Sequence, residues 1–215
     1  MINILTKENS IVGHYLMELR DINIQQDRMR FRRNLERLGE LMAYEISKTL
    51  TYKPINVTTI FGEATHQVLV EQPVLGTLIR AGLPFHEGML HVFDRADSAF
   101  FSAYRHTKKS GEMEVYKTYS NTPNLDGRTL IICDPVLATG KSLVLCCKDL
   151  LADYNLKELH IAIGIASEEG IQHVRAFLPQ AQLWVGAVDD ELTSKSYVVP
   201  GLGDAGDLAY GAKGE

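Results

Sequence analysis

A chain of 215 residues, 45% apolar and 23% charged, has the balance of a globular protein with room for one sizeable domain over 1–215. Its formal charge of −5 excludes an extended nucleic-acid surface, which needs a basic excess. No apolar run approaches the ~20 residues that span a bilayer, and Met1 to Lys7 lacks the charged-then-apolar order of a secretory signal.

The first third reads as a helical arm over 1–54. From Arg28 to Leu50, the residues Phe31, Leu35, Leu38, Met42, Ile46 and Leu50 recur at three- and four-residue steps, one apolar stripe of a helix. The opposite face carries Arg30, Arg33, Glu36, Arg37 and Glu40, an ordinary solvated surface, and Pro54 is expected to end the helical region. Short apolar runs then alternate with helical segments. Pro73 to Ile79 reads as a buried strand, followed by Arg80-Ala-Gly and a helix reaching Phe93; Ser98 to Tyr104 reads as another strand. Leu130 to Cys133 is a strand entered through Asp126-Gly127, Ser142 to Tyr154 a helix, Leu159 to Ala166 a strand, Glu168 to Phe177 a helix and Leu183 to Val188 a strand. This alternation predicts an α/β fold with a mainly parallel sheet flanked by helices, whose ligands bind beyond the carboxyl ends of its strands.

Three cysteines, Cys133, Cys146 and Cys147, form no CxxC pair, and histidines at zinc spacing are lacking. Adjacent Cys146 and Cys147 point to different faces of their helix. Reduced core thiols in a cytoplasmic protein are the expectation.

The most informative stretch is Leu130-Ile-Ile-Cys-Asp-Pro-Val-Leu-Ala-Thr-Gly-Lys-Ser142. An apolar strand delivers Asp134 to the sheet's edge. The small residues Ala138, Thr139 and Gly140 then open directly into a helix, whose first N–H groups and dipole suit an anion. Gly140 allows close approach, and Thr139 and Ser142 add hydroxyl donors. A carboxylate beside an anion cradle needs hydroxyls or a metal ion to hold, and a ribose with two free hydroxyls meets that need. Gly140-Lys141-Ser142 is similar to the end of a P-loop, but the first glycine of that motif would fall at Pro135, so the P-loop reading fails. A plain βα turn with helix-capping residues remains the alternative on spacing alone.

Asp134-Pro-Val-Leu-Ala-Thr-Gly-Lys-Ser142 resembles the loop that binds 5-phosphoribosyl-1-pyrophosphate (PRPP) in type I phosphoribosyltransferases, and its Asp-Pro pair resembles the uracil phosphoribosyltransferase branch. Ile79-Arg-Ala-Gly-Leu83 is similar to that family's pyrophosphate-side loop, and Tyr104-Arg105 to the end of its next strand. Tyr197-Val-Val-Pro-Gly-Leu-Gly-Asp-Ala-Gly-Asp207 resembles its C-terminal uracil-recognition segment, here 190–215, and Met42-Ala-Tyr-Glu45 also fits. The resemblance covers nearly the whole chain in order. It implies a type I phosphoribosyltransferase-like fold and the reaction of uracil with PRPP to give UMP and diphosphate in pyrimidine salvage.

The same resemblance implies roles residue by residue. Arg80, Arg105 and Asp134 form the catalytic set. Arg80 and Arg105 neutralise the pyrophosphate, Asp134 holds the ribose hydroxyls, and the loop Asp134, Pro135, Val136, Leu137, Ala138, Thr139, Gly140, Lys141 and Ser142 takes PRPP, with its 5′-phosphate at Ala138 to Ser142. Val198, Gly203, Asp204 and Ala205 read uracil, with Asp204 also touching PRPP. Mg²⁺ arrives with PRPP and has no ligands of its own on the protein; GTP is a candidate effector. The partners are uracil, PRPP, UMP and diphosphate, with no nucleic acid and no membrane, in a homodimer or larger homo-oligomer contacted through the long helix. Three features depart from the family. Lys141 stands where a small residue is usual, the hood 105–119 lacks the usual Glu-Thr-Leu-x-Pro pattern despite Lys108 and Lys109, and Thr58 to Glu71 looks short. A phosphoribosyltransferase for another pyrimidine base and a non-catalytic nucleotide-sensing homologue are the competing readings.

Overall fold

The computed structural model describes residues 2–107 and 113–212, with side chains of 103–118 left aside. Strand β1 (Ile2–Ile4) is followed by helices α1 (Ile11–Arg20) and α2 (Arg28–Ser47), then by a hairpin of β2 (Tyr52–Thr59) and β3 (Gly62–Leu69). The α/β body continues through β4 (Val74–Leu78), α3 (Leu83–Val92), β5 (Asp97–Thr107), β6 (Met113–Asn121), β7 (Thr129–Leu137), α4 (Lys141–Asp153), β8 (Glu158–Ser167), α5 (Glu168–Phe177) and β9 (Gln182–Asp189). Short β10 (Glu191–Leu192) and β11 (Val198–Val199) pair with each other before α6 (Ala205–Tyr210).

Seven strands form the main sheet in the order β1-β9-β8-β7-β4-β5-β6, all parallel except β6 against β5. The chain builds outward from β4 to β5 on one side and from β7 to β8 and β9 on the other. The switch point, where a crevice opens at the carboxyl edge, therefore lies between β4 and β7. The alternation of β7 decides how the layers pack. Leu130 and Ile132 join the core beneath α4 and α5, while Ile131 and Cys133 join the core beneath α1, α2 and α3.

The apolar stripe of α2 is buried as its periodicity predicts, with Phe31, Leu35, Leu38, Met42 and Ile46 in the core and Asp27 capping the first turn by accepting from Arg30 N at 3.0 Å. Two expectations for residues 1–54 are corrected. The helix stops at Ser47, and Pro54 lies inside β2, opposite Gln67. A proline fits there because the two-stranded ribbon leaves N–H groups facing solvent. Residues 2–4, expected in the helical arm, instead add a parallel edge strand to the main sheet beside β9, and α1 and α2 pack on the core.

A buried carboxylate ties α1 to α2. Glu18, 5% exposed, accepts from Arg30 Nη2 at 2.5 Å, Arg30 Nε at 2.9 Å and Asn34 Nδ2 at 2.7 Å. The Arg30 and Asn34 hydrogen bonds outweigh burial and hold its pKa down, from the ordinary 4.5 to about 2. A depressed carboxylate contributes stability above the unfolded value and loses it as pH falls through the folded one, so this contribution fades between pH 4.5 and about 2. Glu18→Gln is expected to destabilise the fold by about 1–3 kcal/mol near neutral pH, since charge-assisted bonds are lost. Thermal melts should show that loss shrinking as pH falls across the same window; an unchanged gap would contradict it.

On the same face of the sheet as α1 and α2, the chain's one tryptophan is held in a buried polar relay. Trp184 Nε1–H donates to His160 Nδ1 at 3.2 Å, so the His160 proton sits on Nε2 and faces Glu158 Oε2 at 3.1 Å. Burial holds the His160 pKa below its ordinary value, which keeps the ring neutral.

Candidate active site

β4 and β7 pair in parallel with Thr77 opposite Cys133, which places the segment after β4 beside the segment around Asp134. Thr77 Oγ1 donates to the Cys133 carbonyl at 3.0 Å and fixes that junction. β7 runs longer than expected, to Leu137, so Asp134 sits within the strand, half-buried, with Oδ1 facing Val136 N at 3.5 Å. Burial pushes the neighbouring Cys133 thiol up to about 12, which removes it as a nucleophile. All three cysteines are free and buried, as the sequence suggested.

The turn from β7 into α4 depends on Gly140, whose φ of +73° is left-handed. A Cβ there would also lie 3.1 Å from Gly170 O. Gly140 occupies the N-cap position with no side chain capping the helix, which leaves the first N–H groups of α4 without a capping side chain beside the switch point. The loop is braced from α5: Ser167 Oγ donates to Ala138 O at 2.7 Å while accepting from Gly170 N at 2.9 Å. Thr139 and Ser142 are half-buried, and Lys141 is exposed. Burial first, then the charges of Lys141 and Lys148, push His173 on α5 below its ordinary pKa. Lys141 therefore adds positive potential on the α5 side of the loop.

Arg80 follows β4 through a cis Ile79–Arg80 peptide bond, and its Nη2 pairs with Asp207 Oδ1 at 2.5 Å. Asp207 belongs to α6, whose N-cap Asp204 accepts from Asp207 N at 3.0 Å. Gly206 lies against Arg80 and Ala81, so the C-terminal segment closes over the loop after β4. Within that segment Val198 and Ala205 are buried, Asp204 is half-buried and Gly203 is exposed, and the Val199–Pro200 bond is cis. Arg105 pairs in backbone register with Val115 across β5 and β6; its side chain, like Lys108 and Lys109, lies outside the described residues. Among the described residues no cluster of three or more His, Cys, Asp or Glu side chains is placed to hold a metal ion.

The structure thus brings Arg80, Asp134, the 135–142 loop and the 198–205 segment to the carboxyl edge of the sheet. Sequence reasoning missed Ser167, and it met Asp207 only as the end of the C-terminal motif, with no role of its own. Ser167 stands directly before a helix, an N-cap signature, but no local pattern says that its hydroxyl also holds the Ala138 carbonyl.

A mainly parallel sheet that turns at its switch point into an uncapped helix start, with antiparallel β6 at one edge and a C-terminal segment folded over the loop after β4, defines a type I phosphoribosyltransferase fold. The chain belongs to the uracil phosphoribosyltransferase family, whose family model matches residues 6–212. A uracil phosphoribosyltransferase of Porphyromonas gingivalis is 48% identical over 210 residues, covering 97% of each chain. That of Thermococcus gammatolerans is 37% identical, covering 96% of this chain and 92% of its own. A solved protein structure from Aquifex aeolicus matches with a TM-score of 0.86 at 30% identity, over 100% of both chains.

Proposed function

We propose that this chain carries out its family's reaction, uracil plus PRPP giving UMP and diphosphate, with the crevice between β4 and β7 as its centre and 1–215 as a single domain. The observation that carries the residue assignment is the uncapped start of α4 beside Asp134, a phosphate cradle next to an acceptor for sugar hydroxyls. The 5′-phosphate binds Ala138 to Ser142, and Asp134 accepts from the ribose hydroxyls. Arg80 and Arg105 hold the pyrophosphate. As the bond to C1 breaks, negative charge grows on that leaving group and the sugar becomes oxocarbenium-like. Fixed donors and a nearby carboxylate therefore lower the barrier by placement and charge, with no protein nucleophile. Main-chain groups at Val198 and at Gly203 to Ala205 read the donor–acceptor edge of uracil.

The oxygen-rich crevice fits Mg²⁺ carried on the substrate's phosphates, since Mg²⁺ keeps few protein ligands when phosphates are available. When bound there it neutralises pyrophosphate charge. GTP remains a candidate effector. The buried free thiols accord with a reducing, cytoplasmic setting. The hairpin of β2 and β3 supports a homodimer or larger assembly, because an isolated two-stranded ribbon is marginal in water and its tip leaves Ile60 92% and Phe61 98% exposed.

The test is conversion of labelled uracil with PRPP and Mg²⁺, run beside cytosine, orotate, hypoxanthine and adenine. UMP is expected from uracil alone, and only with PRPP and Mg²⁺ both present. Folded protein that makes none above the blank overturns the assignment, and turnover of another pyrimidine in preference to uracil reassigns the base.

A further inference from the structure

The uracil-recognition segment is gripped by two residues that lie outside it. Arg20 ends α1, and Asp189 ends β9 at the sheet's carboxyl edge. Arg20 Nη1 and Nη2 donate to Asp189 Oδ2 and Oδ1 at 2.7 and 2.8 Å, a two-pronged pair with Asp189 6% exposed. The same two side chains take both main-chain groups of Gly201. Its N–H donates to Asp189 Oδ2 at 2.9 Å, and its carbonyl accepts from Arg20 Nη1 at 3.1 Å. A closed ring of hydrogen bonds results: guanidinium, carboxylate, amide N–H, carbonyl and back to the guanidinium.

Gly201 is a point where the backbone has little slack. It has φ +57°, and a Cβ there would lie 2.1 Å from Val198 O. Val198 stands just before it, and Gly203 to Ala205 just after. A base read by main-chain N–H and C=O groups is read only as sharply as that backbone is held. Asp189 is also the register partner of Ser167 on the adjacent strand. Neighbouring strand ends therefore hold the phosphate loop, through Ser167 and Ala138, and the base segment, through Asp189 and Gly201.

We propose that Arg20 and Asp189 are positioning residues for the base: their ring sets where the main chain from Val198 to Ala205 meets uracil, and neither side chain itself binds PRPP. This rests on the activity proposed above. The guanidinium fork is essential to it, because a lysine can replace the charge but not the two prongs and the third bond to Gly201 O.

Steady-state kinetics of the full chain with each substrate varied test this, using Asp189→Asn and Arg20→Lys. Both variants are expected to raise the KM for uracil by about 10-fold or more and leave the KM for PRPP within about twofold, a split that a general loss of stability does not produce. The two KM values rising together, or neither moving, overturns the positioning role while the activity stands. Failure of both variants to fold, seen by circular dichroism, assigns the pair to stability and also overturns it. A wild-type chain that makes no UMP removes the activity itself, and this role with it.

Discussion

Asp134→Asn is expected to lower kcat/KM for PRPP by roughly 10²–10³-fold, with the fold intact, because hydrogen bonds to a charged acceptor are worth about 1.5–3 kcal/mol each and the proposed role gives this carboxylate two ribose hydroxyls to hold. Asparagine keeps the size of the side chain. It also keeps an oxygen that can face Val136 N, as Asp134 Oδ1 does at 3.5 Å, so that contact in the turn out of β7 can be kept. Two properties do change. One acceptor becomes a donor aimed at hydroxyl protons, and the negative charge beside a sugar gaining positive charge is gone. Kinetics beside a thermal melt separate these effects from misfolding. Wild-type turnover in a folded Asp134→Asn protein would refute the ribose role.

Arg80→Ala should be nearly as damaging, with kcat down by about 10²–10³-fold, the usual consequence of removing one fixed donor from a site where charge develops. Arg80 lies 33% exposed at the mouth of the crevice, already paired with Asp207. Its guanidinium therefore has a built position, and under the proposed role pyrophosphate competes with that anionic partner. Arg80→Lys is expected to recover only a small part of the loss, because an ammonium is a point charge and cannot present two parallel N–H groups to phosphate oxygens. Full activity in the lysine variant would show that charge alone suffices at this position. Full activity in the alanine variant would remove Arg80 from the mechanism.

Local pattern explains which of these features the sequence made visible. The stripe of α2 repeats from Phe31 to Ile46 and its burial follows. The run from β7 through Gly140 into α4 was legible because strand, small-residue turn and helix each leave a signature in adjacent residues. The hairpin was not. Every residue of β2 is exposed, so no apolar face marks its period, and Pro54 reads as a stop signal. β1 has three residues, too few for any periodicity. Most of what braces the site was hidden for a different reason. Arg20 and Asp189 are 169 positions apart, and Arg80 and Asp207 are 127 apart. Only the sheet order, with β9 two strands from β7 and the C-terminal segment folded back over β4, brings such residues together. Charged residues at those positions look like surface in the sequence.

The relay of Trp184, His160 and Glu158 has a practical consequence. The chain carries a single indole, 6% exposed and hydrogen-bonded within the body of the sheet. Its emission therefore reports on whether the sheet is intact. Unfolding curves for variants such as Glu18→Gln or Asp189→Asn can be read optically, from a fluorophore that evolution placed where no label needs to be added.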